Sequence, residues 1–186
     1  MNAIEMMKAE HRVIERLSHV IREMCKGVMQ QEPLCYTDFQ TLIELIKVYA
    51  DEHHHGKEEQ CLFNQMLNHL GSLGEKLVKV GMLVEHDLGR LYVKELEEAL
   101  ERVKQGDEES KLDVIASAIS YTHLLARHIQ KEDELIYPFA QNKLPEDVME
   151  EVHKACLVFE QEAAQKGIQE RCLNTLSQLE EKYRLP

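Results

Sequence analysis

Histidine and glutamate recur at a spacing of four residues at two places in this chain. His54 precedes Glu58 by four residues, and His128 precedes Glu132 by the same interval. In an α-helix, residues four apart lie one turn above each other on the same face, with Cβ atoms roughly 5–6 Å apart. Each pair can therefore offer an imidazole and a carboxylate to one metal-sized space. Two such pairs predict a buried site that holds two metal ions.

Two more histidines, His11 and His86, extend this set. Each of the four histidines lies on an apolar stripe of a predicted helix, which places it on the core side. Counted from the breaks between antiparallel helices, at a rise of roughly 1.5 Å per residue, all four fall at one level. The predicted metal ligands are His11, His54, Glu58, His86, His128 and Glu132.

The second helix contains three consecutive histidines, so its inward pair has to be chosen. The stripe of His54 and Glu58 continues through apolar residues, whereas the stripe of His55 and Glu59 carries acidic residues. The sequence therefore predicts that His54 and Glu58 face inward. His19 and His123 can line an entrance but are not placed as ligands. The other histidines are expected to lie in water or beside the ligands: His53, His55, His69 and His153.

The composition favours a helical protein with one core. The chain has 186 residues, of which 44% are apolar and 30% charged, with only 8 Gly and 4 Pro. Its long stretches of Leu, Glu, Lys and Ala are typical of helices. Breaks in the pattern predict helices at about 3–29, 37–70, 72–105 and 110–140, and one or two more from about 146 to 183. We therefore expect an all-α fold: an up-down-up-down four-helix bundle over residues 1–140, with a C-terminal helical extension, residues 141–186, packed on it.

The charge and the cysteines narrow the classes of protein that fit. A net charge of −12 argues against nucleic acid and anionic membranes as partners, and it suits a cation-binding protein. No apolar run approaches the roughly 20 residues of a membrane-spanning helix, and the first residues lack the features of a signal peptide. We expect a cytoplasmic protein whose five cysteines, an odd number without Cys-x-x-Cys spacing, are reduced and mostly buried.

The types of donor favour iron. Imidazole suits iron, zinc, copper and nickel, and carboxylate oxygens favour iron or manganese over copper. Four imidazoles and two bridging carboxylates without a thiolate fit two iron ions that share an oxide or hydroxide, which leaves roughly one vacant position on each ion. Zinc or manganese can substitute for iron. A vacant position allows a small ligand to bind.

Three further residues are candidates for the pocket around the metal. Tyr121 lies two turns before His128 on its inward face, where its hydroxyl can lie near a bound gas or pack in the core. Cys61 follows Glu58 by three residues and is either a core thiol or a redox partner. Gly89 can leave room for a diatomic ligand or allow close helix packing. No catalytic residue is assigned.

Acidic residues stand next to the predicted ligands. Glu85 and Asp87 flank His86 in the third helix. Such residues either orient a metal ligand through a hydrogen bond or face water, and both alternatives remain open at this stage.

These residues resemble those of the hemerythrin-like HHE cation-binding family of non-haem di-iron proteins. The resemblance implies a four-helix bundle in which the four histidines are terminal iron ligands and the two glutamates bridge the ions. The oxygen-carrying hemerythrins have a second histidine in the third helix, where this chain has Arg90, and a longer His-to-Asp spacing in the fourth helix. Over about residues 1–140 the resemblance rests on Glu10-His11-Arg12, His54-x-x-x-Glu58-Glu59-x-x-Leu62-Phe63, Glu85-His86-Asp87 and His128-Ile129-x-Lys131-Glu132-x-x-x-Ile136-Tyr137-Pro138.

The resemblance and the donor set together predict a protein that binds, reduces or senses a small diatomic or peroxide ligand, namely O2, NO or H2O2. Two other functions remain open. One is the donation of iron for the repair of damaged iron centres, and the other is redox sensing through the C-terminal helices. Either way a protein partner or an electron donor is expected, and the choice between carrier, enzyme and sensor is open.

Overall fold

The computed structural model describes residues 2–184, and within that range the chain forms six helices and no strand. The all-α prediction is confirmed. Residues 1, 185 and 186, at the ends of the two predicted domain ranges, lie outside the described residues. Among residues 2–184, none of the helices combines the length and the apolar character needed to cross a lipid bilayer. The helices are α1 (Ala3–Met29), α2 (36–69), α3 (71–104), α4 (111–143), α5 (Glu146–Gln165) and α6 (Ile168–Lys182).

The ends of the helices follow local sequence signals. At the start of α1, the Asn2 side chain accepts a hydrogen bond from the Glu5 backbone, and the Glu5 carboxylate accepts one from the Asn2 backbone. Gly106, with φ +100°, makes the turn between α3 and α4 that a residue with a side chain would resist. Helix α4 ends before Leu144, which is extended because Pro145 follows it. The breaks therefore lie within a few residues of their predicted positions.

Three helices contain wider, π-helical turns, in which backbone hydrogen bonds reach the fifth residue instead of the fourth. Because such a turn holds more residues, successive side chains differ less in direction than they do in an α-helix. The predicted ligands His54, Glu58 and Glu132 all lie in these segments. The segments are Ile46–His55 and Glu58–Phe63 in α2, Lys76–Met82 in α3 and Glu132–Ile136 in α4.

The helices enclose two apolar clusters. Helix α1 packs on α2 and α4, α3 packs on α2 and α4, and both α5 and α6 pack on α1 and α2. The first cluster includes Ile14, Phe39 and Leu96, and the second includes Met7 and Leu62. The predicted ligands lie where the two clusters meet. The division into a bundle and an extension, and the up-down order of the helices, stay predictions.

Candidate metal centre

The six predicted ligands come together in the core, and none of them is more than 2% exposed. Their donor atoms belong to two sets, and within each set the donor atoms lie within 4.8 Å of one another. Glu58 belongs to both sets. The first set is His11, His54, Glu58 and Glu132, and the second set is His55, Glu58, His86 and His128.

Each of the two glutamates lies between a histidine of the first set and a histidine of the second. Glu132 Oε2 is 3.2 Å from His11 Nε2, and Glu132 Oε1 is 3.3 Å from His128 Nε2. Glu58 Oε2 is 3.7 Å from His54 Nε2 and 3.6 Å from His86 Nε2. A carboxylate in such a position can contact a cation on either side of it.

His55 joins the second set, which the sequence did not predict. Its side chain is buried, and its ring stacks on His86 with centroids 3.9 Å apart. The prediction chose His54 over His55 by assuming the winding of an α-helix. Because Ile46–His55 winds as a π-helix, both histidines point into the core. The run of three histidines was the available signal. The period of an α-helix could not predict from it that both His54 and His55 face the core.

The remaining histidines lie outside the two donor sets. His53 is buried beside the ligand His54, one of the two predicted alternatives, with Nε2 3.2 Å from Glu10 and 3.3 Å from Glu160. His153 is half-buried, and the other three are exposed: His19, His69 and His123.

A ring of carboxylates holds the four predicted histidines. Each carboxylate accepts a hydrogen bond from the Nδ1–H of a histidine on the next helix. The acid of α1 thus holds a histidine of α2, that of α2 one of α3, that of α3 one of α4, and that of α4 one of α1. An Nδ1 atom that donates to a carboxylate leaves the lone pair of Nε2 free to face the centre. The pairs are His54 with Glu10 at 2.8 Å, His86 with Glu59 at 2.7 Å, His128 with Glu85 at 3.0 Å and His11 with Asp133 at 2.8 Å.

The sequence held a signal for this ring. Glu10, Glu59 and Asp133 each stand beside a predicted ligand in the chain, but their role was not predicted because their partners lie on other helices. Glu85 does orient a histidine, on α4 instead of its own helix. Asp87 is exposed and bonds to an arginine, so it is one of the acids that face water.

Several buried atoms of the centre have no hydrogen-bond partner. They include Nε2 of His54 and His55, Oε2 of Glu58 and both carboxylate oxygens of Glu132. Buried acceptors that face one another without a donor are costly. A cation between them would satisfy their lone pairs at once, so these residues fit a metal site.

Burial sets the protonation states of the metal-free centre. Loss of hydration, together with neighbouring histidines, lowers the pKa of His55 to about 3 and of His86 to about 2, so these imidazoles are neutral. Burial raises the pKa of Glu58 to about 8, and burial followed by the charge of Glu58 raises the pKa of Glu132 well above its usual value. The imidazoles of His55 and His86 are thus in their metal-binding form, and the two glutamates hold protons that a metal must displace.

Tyr137 supports the first donor set. Its hydroxyl donates to Glu58 Oε1 at 2.5 Å and lies 3.3 Å from His11 Nε2, and its ring stacks on that of His11. This hydrogen bond satisfies one oxygen of Glu58 and leaves Oε2 facing the centre. Tyr137 belongs to the motif Ile136-Tyr137-Pro138, but no role was predicted for it from the sequence.

A family model described as the hemerythrin HHE cation binding domain matches residues 2–140. The chain belongs to the hemerythrin HHE cation-binding family. The matched range includes both donor sets, and it excludes α5 and α6. Comparisons with curated proteins and with solved structures found no match.

A cleft of about 240 Å³ leads from the surface to the second donor set of this hemerythrin domain. Tyr121 and Gly89 line it, together with His55 and His86, so these two predicted pocket residues lie beside the centre. Cys61 is buried in the second apolar cluster and belongs to neither donor set.

Arg90 lies on the wall of this cleft. It occupies the position in the third helix at which the oxygen-carrying hemerythrins have a second histidine. Its guanidinium donates to Asp51 at 2.9 Å and to Glu59 at 2.8 Å. Asp51 faces Nδ1 of His55 at 3.4 Å, and Glu59 holds Nδ1 of His86. Arg90 therefore braces the two acids that orient the histidines of the second set.

Binding of a divalent metal to the metal-free protein is expected to release protons at pH 7, because the pKa of Glu58 is raised to about 8. Protons on Glu58 and Glu132 compete with the metal for the two carboxylates. The apparent affinity for the metal should therefore rise as the pH rises from 6 to about 9. Calorimetric titration in buffers of different ionisation enthalpy measures both the number of protons released and the apparent affinity for the metal. Glu58→Gln should release fewer protons, and an affinity independent of pH would contradict the prediction.

Glu85→Gln is expected to weaken metal binding by about 10–100-fold, because the amide is a poorer acceptor for Nδ1 of His128. Asp87→Asn is the matched control: Asp87 lies on the same helix, its side chain is 77% exposed, and it contacts Arg90 instead of a histidine. Competition with a chromophoric chelator measures both affinities. Equal affinities for the two variants would contradict the orienting role of Glu85.

Proposed function

We propose that this hemerythrin-family protein binds two iron ions in its core and reacts there with a small ligand, O2, NO or H2O2. The observation that carries the proposal is the presence of two donor sets that Glu58 and Glu132 join. The second of these sets adjoins a cleft. Nitrogen and oxygen donors without a thiolate favour iron, with zinc or manganese as substitutes.

The donor sets divide the ligands unequally between the two ions. His11 and His54 would hold one ion, His55 with His86 and His128 would hold the other, and Glu58 and Glu132 would lie between them. Five imidazoles and two carboxylates then surround the pair. In this assignment His55 supplies the imidazole that the third helix lacks at Arg90.

Each part of the centre has a physical task. Bound iron would supply the change between ferrous and ferric states that donates electrons to a small ligand. The glutamates would offset the charge of two bound cations, and the ring of carboxylates makes the imidazoles more basic. Tyr137 keeps one oxygen of Glu58 occupied, and the apolar clusters limit water. The cleft beside His55 and His86 gives a small ligand a path to the second ion.

We also propose that α1–α4 form an up-down-up-down bundle and that α5 and α6 form an extension, with the boundary close to residue 140. Along α1 and α3 the buried residues pass from the second apolar cluster to the first, and along α2 and α4 they pass from the first to the second. This alternation supports antiparallel neighbours. It also explains how the ligands of the four helices form one layer, at the level where the two apolar clusters meet.

Protein loaded anaerobically with ferrous iron is expected to hold about two irons per chain and to change its absorption spectrum when O2 or NO is added. An oxidised pair of bridged ferric ions should absorb in the near ultraviolet. The variant Glu58→Gln with Glu132→Gln is the control and should lose most of its iron. Two bound irons without a spectral response to either gas would contradict the proposed reactivity.

His55→Ala is expected to lower the iron content towards about one per chain, because the second set loses one of its three imidazoles. His19→Ala is the matched control, since His19 is an exposed histidine on α1 and should keep the full content. Metal analysis after gel filtration gives the content, and circular dichroism verifies folding. Unchanged iron in His55→Ala would show that His55 is not a ligand.

A second candidate function, redox sensing through the C-terminal helices, is favoured by one contact. The buried Lys57 ammonium bonds to Glu160 of α5 and to Glu10 of α1, and Glu10 in turn holds Nδ1 of His54. A change at the first ion would therefore reach α5 through two buried groups, Glu10 and Lys57, and the half-buried Glu160. Electrostatic interactions are strong between groups that are removed from water.

If the protein is such a sensor, hydrogen exchange in α5 and α6 should differ between its ferrous and ferric forms. Glu160→Gln should reduce that difference, whereas Glu162→Gln, on an exposed position of the same helix, should preserve it. Identical exchange of α5 and α6 in the two oxidation states would count against sensing.

A further inference from the structure

A third group of metal-type donors lies outside the two donor sets, where α5 packs on α1 and α2. It consists of Glu10 of α1, His53 of α2 and Glu160 of α5, whose donor atoms lie within 4.8 Å of one another. His53 Nε2 is 3.2 Å from Glu10 Oε1 and 3.3 Å from Glu160 Oε1. Glu10 and His53 are buried, and Glu160 is half-buried, so the group is largely shielded from water.

Lys57 places its ammonium against this group. The ammonium forms ion pairs with Glu10 Oε1 and Glu160 Oε1, the same two oxygens that the histidine faces. The Lys57 side chain is 0% exposed, and its Nζ lies 5.8 Å from the centre of the Phe159 ring, which adds a cation–π contact. Lysine is almost never fully buried unless it is paired, because its charge loses hydration. The two carboxylates therefore make the burial of Lys57 possible.

We infer that Glu10, His53 and Glu160 form a third cation site, and that the Lys57 ammonium occupies it in place of a metal ion. Carboxylate oxygens and an imidazole nitrogen are also donors that zinc and iron take in proteins. A divalent ion at this position would face the ammonium at short range, and repulsion between like charges is strong where water is excluded. Lys57 therefore keeps metal out of the group. The limit of two metal ions per chain rests on the proposed function, but the third site does not.

Exclusion of metal from this group also protects the orientation of a predicted ligand. Glu10 pairs with Lys57 through Oε1, and its Oε2 accepts the hydrogen bond from Nδ1 of His54 at 2.8 Å. A divalent ion on Glu10 would compete with His54 for the carboxylate, since each takes it as a partner. The ammonium satisfies Oε1 and leaves Oε2 to the histidine.

Lys57→Ala removes the ammonium and leaves the three donors in place. A cleft of about 280 Å³, lined by His53 and Phe159 among others, gives an external cation access to them. The test loads the full chain with excess zinc, removes unbound metal by gel filtration and measures zinc per chain. Lys57→Ala is expected to hold one more zinc ion than the unsubstituted chain. Equal zinc contents in the two folded proteins would overturn the proposal.

Two further variants locate the additional ion. Glu160→Gln combined with Lys57→Ala should remove it, because the group loses one of its two carboxylates. Lys79→Ala is the matched control: Lys79 also pairs with a glutamate, at 2.9 Å, but its side chain is 55% exposed, so its removal should leave the zinc content unchanged. An additional ion in Lys79→Ala, or one that persists without the Glu160 carboxylate, would contradict the assignment.

The same comparison in a second background separates this site from the proposed function. In the variant Glu58→Gln with Glu132→Gln, which should lose most of the metal of the centre, Lys57→Ala should again add one zinc ion. An unsubstituted chain without bound metal would refute the proposed function, whereas a gain of one ion in Lys57→Ala would still support the third site. If Lys57→Ala does not fold without metal, zinc should restore its circular dichroism more fully than that of Lys57→Ala with Glu160→Gln. Equal recovery of these two variants would overturn the proposal.

Discussion

Two buried carboxylates among imidazoles dominate the energetics of this core. Glu58 and Glu132 are both 0% exposed, and burial of an ionised carboxylate costs several kcal/mol unless an opposite charge accompanies it. The raised pKa values of the pair show that the metal-free protein meets this cost with a proton. A metal ion would replace the proton and satisfy the oxygens that have no donor. Metal binding, proton release and folding are therefore linked in this protein, and the two apolar clusters serve to keep the pair away from water.

The ring of carboxylates explains how flexible side chains form a precise centre. Each of the four main helices contributes a histidine that faces inward and an acid that orients the histidine of the next helix. Closing the ring requires all four helices at their correct heights, so helix packing and ligand geometry depend on each other. Because imidazole Nδ1 is fixed by a carboxylate, Nε2 has little freedom, and a pre-organised site binds metal with a smaller loss of conformational entropy.

The two sides of the centre face different parts of the molecule. The first donor set is enclosed by Tyr137 and connects to α5 through Glu10, Lys57 and Glu160. The second set adjoins the cleft on whose wall Arg90 braces the acids of His55 and His86. One side of the centre therefore lies beside a cleft, and the other side lies against the C-terminal helices.

The sequence by itself determined the helices, the inward stripes and the six residues that meet in the core, because these depend on local periodicity, on breaks and on the rise of a helix. The family match over residues 2–140 agrees with the motifs that those stripes carry. Only the tertiary structure decided the rest. His55 was missed because π-helical winding changes the direction of a side chain without altering the composition, and Glu10, Glu59 and Asp133 were missed because their partners lie on other helices. The cleft and the contact of Lys57 with α5 likewise arise from helix packing, since residues far apart in the chain become neighbours only when the core forms.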